Sequence, residues 1–277
     1  MEHESSSSFQ ITHEKQLLQK QGYQVLKILG SGGFGNVYLV FKQDVGIVAA
    51  KVMKEKDFDF NEWKVGLKLG REGKNPFVLK YISTTINEEF AIIIMEYANM
   101  RSLQNLIDKK KVIPLGIVRV IMKQILEGLR LMHEKGLIHR DIKGDNILFH
   151  NPPGSEFVIS KITDFGLVKV QKKAEQSTLV TAAGTAQWMA PEVLIENEEE
   201  EGDQKVTADE KIDIWSAGII LHQLVAQSYP FRQPTLPVIM RFMFNKKLTR
   251  PPSIQDNNLW DLINLNNKEI KTLLNMN

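Results

Sequence analysis

The stretch His139-Arg140-Asp141-Ile142-Lys143-Gly144-Asp145-Asn146, followed by Asp164-Phe165-Gly166, decides how this chain is read. Asp141 supplies a carboxylate able to accept a proton from an attacking hydroxyl. Asn146 and Asp164 offer hard oxygen ligands of the kind a magnesium ion takes while it holds a polyphosphate. Together these residue types point to phosphoryl transfer.

Upstream, β-type alternation begins at Tyr23 and leads into Gly30-Ser31-Gly32-Gly33-Phe34-Gly35, with Asn36-Val37-Tyr38-Leu39-Val40 beyond. This spells a hairpin with a glycine-rich turn, whose backbone N–H groups can approach phosphate oxygens unobstructed. Gly-x-Gly-x-x-Gly alone also marks dinucleotide-binding folds. There it opens a helix, whereas here β-branched and aromatic residues resume at once. A third strand, Gly46 to Met53, carries Val48-Ala49-Ala50-Lys51.

The order glycine hairpin, strand lysine, His-Arg-Asp-x-Lys-x-x-Asn and Asp-Phe-Gly resembles the eukaryotic protein kinase superfamily, serine/threonine type. Trp188-Met189-Ala190-Pro191-Glu192 and Ile-Lys-Gly-Asp-Asn look most like its sterile or mitogen-activated kinase-kinase-kinase groups. The resemblance implies an α+β, two-lobed fold: a small β-rich N-lobe with one helix and a larger, mainly helical C-lobe. On this reading residues 1–22 form a polar, Ser-rich tail ending in a short helix around Glu14 to Gln21. The N-lobe runs from about 23 to 95, the hinge from about 96 to 99 and the C-lobe from about 100 to 265, with an atypical end at 266–277.

The resemblance also implies roles. ATP, with Mg2+, is held by Leu29, Gly30, Ser31, Gly32, Gly33, Phe34, Gly35, Val37, Ala50 and Lys51. Met95 is the gatekeeper, the Glu96 carbonyl and Ala98 amide meet the base, and Leu148 floors the pocket. Asp141 is the general base or orienter, Lys143 stabilises the transferred group, and Asn146 and Asp164 bind the metal. Lys143 favours Ser/Thr over Tyr substrates. Glu62 is the best-placed partner for Lys51, with Glu72 the alternative. The glycines Gly66 and Gly70 suggest a short, poorly formed helix there, since each is worth ~1 kcal/mol less than alanine. Arg140 is expected to pair with a phosphate on Thr181, with Ser177 and Thr178 as weaker sites, while Thr185 contacts Lys143 and Asp141. Asp213 is expected to cap backbone groups of the catalytic loop.

The chain departs from the family after Ile263, where it turns Asn-rich. It resembles a C-terminally shortened kinase, lacking the arginine that usually pairs with Glu192. That leaves two rivals to an active enzyme. One is a pseudokinase-like scaffold; the other is a small-molecule phosphotransferase, against which the peptide-binding region at 184–192 argues.

Composition agrees with a folded protein: 43% hydrophobic and 25% charged over 277 residues excludes general disorder. Thirty-five basic against thirty-three acidic residues leave +2, too balanced for a nucleic-acid footprint. Cysteine is absent, which suits a reducing compartment. No apolar run nears the ~18 residues of a membrane span. The start has no secretory pattern. A cytoplasmic signalling enzyme is expected, with protein substrates and an upstream activating kinase as partners.

Overall fold

The computed structural model describes residues 2–32, 35–71, 75–87, 89–170, 178–180, 186–190, 193, 206–231, 235, 237–238, 241, 250–252 and 254–264. The chain divides into two compact units, Met1–Lys74 with Leu79–Asn99, and Asn75–Val78 with Met100–Asn277.

The first unit is built on an antiparallel sheet of β1 (Gln24–Gly32), β2 (Gly35–Lys42), β3 (Gly46–Lys54), β4 (Tyr81–Ile86) and β5 (Phe90–Glu96), ordered β1-β2-β3-β5-β4. Side chains alternate between its faces. Tyr38, Val40, Val48, Ala50, Val52, Phe90, Ile92 and Ile94 form one core. Across the register, Val37 stands opposite Lys51, and Lys51 opposite Ile93, on the other face.

Helix α1 (Glu2–Lys20) covers the first of these faces, with Leu18 fully buried in that core and Leu17 packed against it. The expectation of a loose tail with one short terminal helix is corrected here, and among the described residues the first unit has two α-helices. Gly22, at φ 84°, closes α1 in the left-handed conformation. Its N–H donates to the Gln19 carbonyl and that of Tyr23 to the Leu18 carbonyl, so the helix passes into β1 through a fixed turn.

Helix α2 (Phe60–Arg71) buries Val65 and Leu69, the pair spaced four apart. Its glycines have a packing reason. A Cβ on Gly66 would stand 2.4 Å from the ring of fully buried Tyr81, and one on Gly70 2.9 Å from the Lys80 side chain. The helix is twelve residues long and lies hard against β4, so the expectation of a short, poorly formed helix is corrected.

In the second unit Ser102 caps α3 (Leu103–Ile107) in a reciprocal box with Asn105. Helix α4 (Leu115–His133) buries Val118, Ile121, Met122, Ile125, Leu129 and Met132 along one stripe. Gly136, at φ 68°, stops the chain beyond it. Helix α5 (Lys211–Ala226) is buried on nearly every side, as a central helix must be. Helix α6 (Asn257–Asn264) follows. Short antiparallel pairs complete the unit: β6 (Leu137–Ile138) with β9 (Lys169–Val170), β7 (Ile147–His150) with β8 (Ile159–Ile162), and β10 (Thr178–Val180) with β11 (Val206–Ala208). Gly128 lets α4 close on Phe77 and Ile162, while Asn75 donates to the Gly128 carbonyl.

Candidate active site

The catalytic stretch leaves β6, loops through residues 139–143 and enters β7 by a 3-10 turn at Gly144–Asn146. Gly144 is required by α3: a Cβ there would stand 2.6 Å from the Gln104 side-chain oxygen and 3.1 Å from its backbone nitrogen. The turn brings two polar side chains onto one carboxylate oxygen. Asp141 Oδ2 accepts from Lys143 Nζ at 2.7 Å and from Asn146 Nδ2 at 2.9 Å, and the same Asn146 nitrogen donates to the Asp141 carbonyl at 2.8 Å. The carboxylate, the ammonium and the amide are thereby fixed as a unit.

His139 ties this unit to the Asp164 segment. It is fully buried, its Nδ1 accepts the Asp141 N–H at 3.3 Å, and its Nε2 therefore carries the proton and donates to the Thr163 carbonyl at 3.1 Å. Thr163 N donates to the Asn146 carbonyl at 2.9 Å. Phe165 is buried with its ring edge-on to His139 at 5.9 Å.

Both ends of the site use left-handed backbone, Arg140 at φ 73° and Asp164 at φ 66°. Aspartate tolerates this conformation; for arginine it costs on the order of 1–3 kcal/mol and must be held from outside. Asp213, on the first turn of α5, holds it. Its Oδ2 accepts from His139 N and His133 Nε2, and its Oδ1 from Arg140 N, each at 2.8 Å. Burial alone would raise the Asp213 carboxyl, but the His133 hydrogen bond and nearby charge hold it below the usual range. The expectation that Asp213 caps the loop is met. Arg140 is nearly buried and donates through Nη1 to the Leu167 carbonyl at 3.2 Å. Burial pulls its guanidinium pKa down, opposed by the Asp213 charge.

The donor set suits magnesium. Among the described residues no group of three His, Cys, Asp or Glu is gathered as a metal cage. Asn146 and Asp164 present the amide and carboxylate oxygens that this ion takes alongside phosphate and water.

A match to the protein kinase domain family covers residues 23–276. The chain belongs to the protein kinase family. The match runs beyond Ile263, where the sequence resemblance stops. The chain is 33% identical over 232 residues to cytokinesis protein sepH of Aspergillus terreus, covering 83% of this chain and 16% of that protein. It is 27% identical to mitogen-activated protein kinase kinase kinase A of Dictyostelium discoideum, covering 96% and 28%. It is 30% identical to serine/threonine-protein kinase shk2 of Schizosaccharomyces pombe, covering 87% and 40%. The kinase domain thus spans less than half the length of these relatives.

The remaining expected residues of this kinase domain fall in the first unit, on β7 of the second, or outside the described residues. Leu29, Gly30, Ser31 and Gly32 end β1, and Gly35 opens β2 at φ 111°, where a Cβ would meet the Val52 carbonyl at 2.1 Å. Val37 and Lys51 are cross-strand partners, as are Ala49 and Met95. Ala50 is a correction. It shares the α1-covered face with Tyr38 and Ile94, so Ala49 takes its place beside Lys51. Met95 and Glu96 end β5, Ala98 is buried in the connector, and Leu148 is half-buried on β7. Gly33, Phe34, Glu72, Ser177, Thr181, Thr185 and Glu192 lie outside the described residues, as does the Glu62 side chain on α2. Among the described residues no helix is long and apolar enough to cross a membrane. Nothing in the residue pattern marks His133 as an Asp213 partner or Glu14 as a buried residue of α1.

Proposed function

We propose that this domain transfers the γ-phosphoryl group of ATP to serine or threonine hydroxyls of protein substrates. The observation that carries the reading is the convergence of Lys143 and Asn146 on Asp141 Oδ2, coupled through His139 to the segment bearing Asp164.

ATP would supply the phosphoryl group, and Mg2+ would neutralise charge on its phosphates. Asn146 and Asp164 would hold the metal; Lys51, with Glu62 as its expected partner, and the turn of Gly30, Gly32 and Gly35 would hold the phosphates. Asp141 orients the incoming hydroxyl and accepts its proton. Lys143, already on that carboxylate, places positive charge where the transferred group passes. Arg140, which donates to the Leu167 carbonyl, would pair with a phosphate on Thr181 and so order the segment at 184–192, with Thr185 contacting Lys143 and Asp141. The domain then serves intracellular, cytoplasmic signalling under an upstream kinase.

Phosphoamino-acid analysis after incubation with Mg–ATP and a generic protein substrate tests the reading. Labelled serine or threonine is expected, with Thr181→Ala at least about ten-fold less active under activating conditions. Labelled tyrosine would overturn the substrate class, and full activity of Thr181→Ala the regulation.

A further inference from the structure

Glu14 is the one acidic side chain in the described part of the first unit that is completely buried, and the phosphoryl-transfer scheme does not use it. It lies on α1 one turn before Leu18, so the helix that places Leu18 in the sheet core also drives this carboxylate against β2. Two successive same-face residues of β2 meet it: Asn36 Nδ2 at 2.7 Å and Tyr38 Oη at 2.6 Å, both on Oε2. Gln10 Nε2, a turn earlier on α1, donates to Oε1 at 2.8 Å. These three partners are neutral donors. A carboxylate among such donors is retained only where geometry satisfies it fully, and losing it would strand those donors in a dry interior. Tyr38 answers accordingly: burial, and next its hydrogen bond to Glu14, push its hydroxyl pKa well up, so it remains the donor.

The location gives the network a consequence. Asn36 immediately follows Gly35, where β2 is pressed so close to β3 that only glycine fits. Asn36 pairs with Ser31 on β1, inside the glycine-rich sequence, and with Val52 on β3. The Asn36–Glu14 bond is thus the first side-chain tether beyond the turn, and Val37, the cross-strand partner of Lys51, is clamped between two residues that both end on Glu14. A turn that must wrap phosphate loses freedom on binding. Fixing its root beforehand reduces that loss and so tightens binding without touching the ligand.

We propose that Glu14 is a positioning residue for nucleotide binding: α1 is a brace whose carboxylate, through Asn36 and Tyr38, holds the root of the glycine-rich hairpin. This rests on the reading above that the hairpin holds the phosphates of ATP. Its signature is a change in ATP binding with little change in the chemical step, since Asp141, Lys143 and Asn146 are untouched.

The test uses Glu14→Met, which keeps side-chain length and helix propensity but accepts no such hydrogen bonds. Glu14→Gln is the conservative partner, because its amide oxygen can turn toward Asn36 and Tyr38. Leu17→Ala is the control, loosening the same helix without touching the network. Three readouts are taken on the whole chain: Mg–ATP affinity by direct binding, KM for ATP against kcat, and amide hydrogen exchange at residues 36–38. For Glu14→Met, KM and the dissociation constant should rise about three- to ten-fold with kcat within about two-fold, and exchange should quicken about ten-fold. Glu14→Gln should stay near wild type and Leu17→Ala should move none of the three. Should Glu14→Met not fold, Tyr38→Phe removes one donor and should give an intermediate rise. Unchanged affinity and exchange in a folded Glu14→Met or Tyr38→Phe, or the same changes in Leu17→Ala, would overturn the proposal. If wild type transfers no phosphate, the kinase reading fails separately, because binding and exchange still report on the brace.

Discussion

Replacing Asp213 by asparagine tests how the catalytic loop is held. The substitution keeps the shape of the side chain and removes one acceptor and the charge. The amide oxygen is best placed where Oδ2 now accepts two bonds, from His139 N and His133 Nε2. The new amide nitrogen then faces the Arg140 N–H across the present 2.8 Å. Two buried donors confront each other, and stranding a buried polar group costs about 1–3 kcal/mol apiece. Losing the charge-assisted character of the remaining bonds adds to this, so about 3 kcal/mol of unfolding free energy should disappear at neutral pH. Arg140, at φ 73°, loses the bond that holds it in left-handed backbone. The loop should relax, and kcat should fall at least about ten-fold. Urea denaturation at several pH values, together with steady-state kinetics, measures both. Because the folded Asp213 carboxyl lies below its ordinary range, its contribution is complete above the unfolded value of ~3.9 and is lost as pH falls through the folded value. The wild-type advantage should therefore shrink below about pH 4. A variant within about 0.5 kcal/mol of wild type at pH 7 with unchanged kcat would refute the reasoning.

Three further outcomes follow from the packing. Gly66→Ala should lower stability by about 1–3 kcal/mol on thermal melting despite a helix-propensity gain of ~1 kcal/mol, because the new methyl meets the immobile Tyr81 ring; a stabilised variant would contradict the close approach. Ala50→Leu should destabilise the α1-covered core by about 1–3 kcal/mol in urea, whereas Ala49→Leu should weaken Mg–ATP binding more than Ala50→Leu does; the reverse order would contradict the assignment of faces. His222 is buried with Nδ1 on the Ser228 carbonyl, and burial depresses its pKa. Its neutral form is the folded one, so its contribution to stability is complete above the unfolded value near 6.5 and falls with pH below it, by at most about 1.4 kcal/mol per pH unit. His222→Phe should remove that part of the slope below about pH 6.5 in urea titrations; an unchanged slope would count against it.

The catalytic loop was legible because its chemistry is contiguous: Asp141, Lys143 and Asn146 sit within six residues, and one short turn brings them together. The sheet was legible from its alternating apolar runs. Alternation fixes a face only modulo one residue, however, and the Ala49-Ala50 pair offers no chemical distinction, so Ala50 was named although Ala49 is the one that shares the face of Lys51. Only the end of helix α1, around Glu14 to Gln21, was expected, because polar residues share its docking with Leu17 and Leu18. Glu14 and Gln10 look like solvent-facing residues until Asn36 and Tyr38, more than twenty positions on, are seen to satisfy the carboxylate. Gly66 was read for its cost within a helix, since the Tyr81 ring that demands it belongs to another strand.

The most direct test of the central claim is the single-turnover rate of phosphoryl transfer from Mg–ATP to a serine- or threonine-containing protein, compared between wild type and Asp141→Asn. The exchange keeps an acceptor oxygen for Lys143 or Asn146 and removes the proton-accepting carboxylate. The account predicts that the variant folds and binds Mg–ATP as wild type does, while its transfer rate falls at least about a hundred-fold. A folded wild type that binds nucleotide without transferring phosphate, or an Asp141→Asn variant transferring at the wild-type rate, would contradict it.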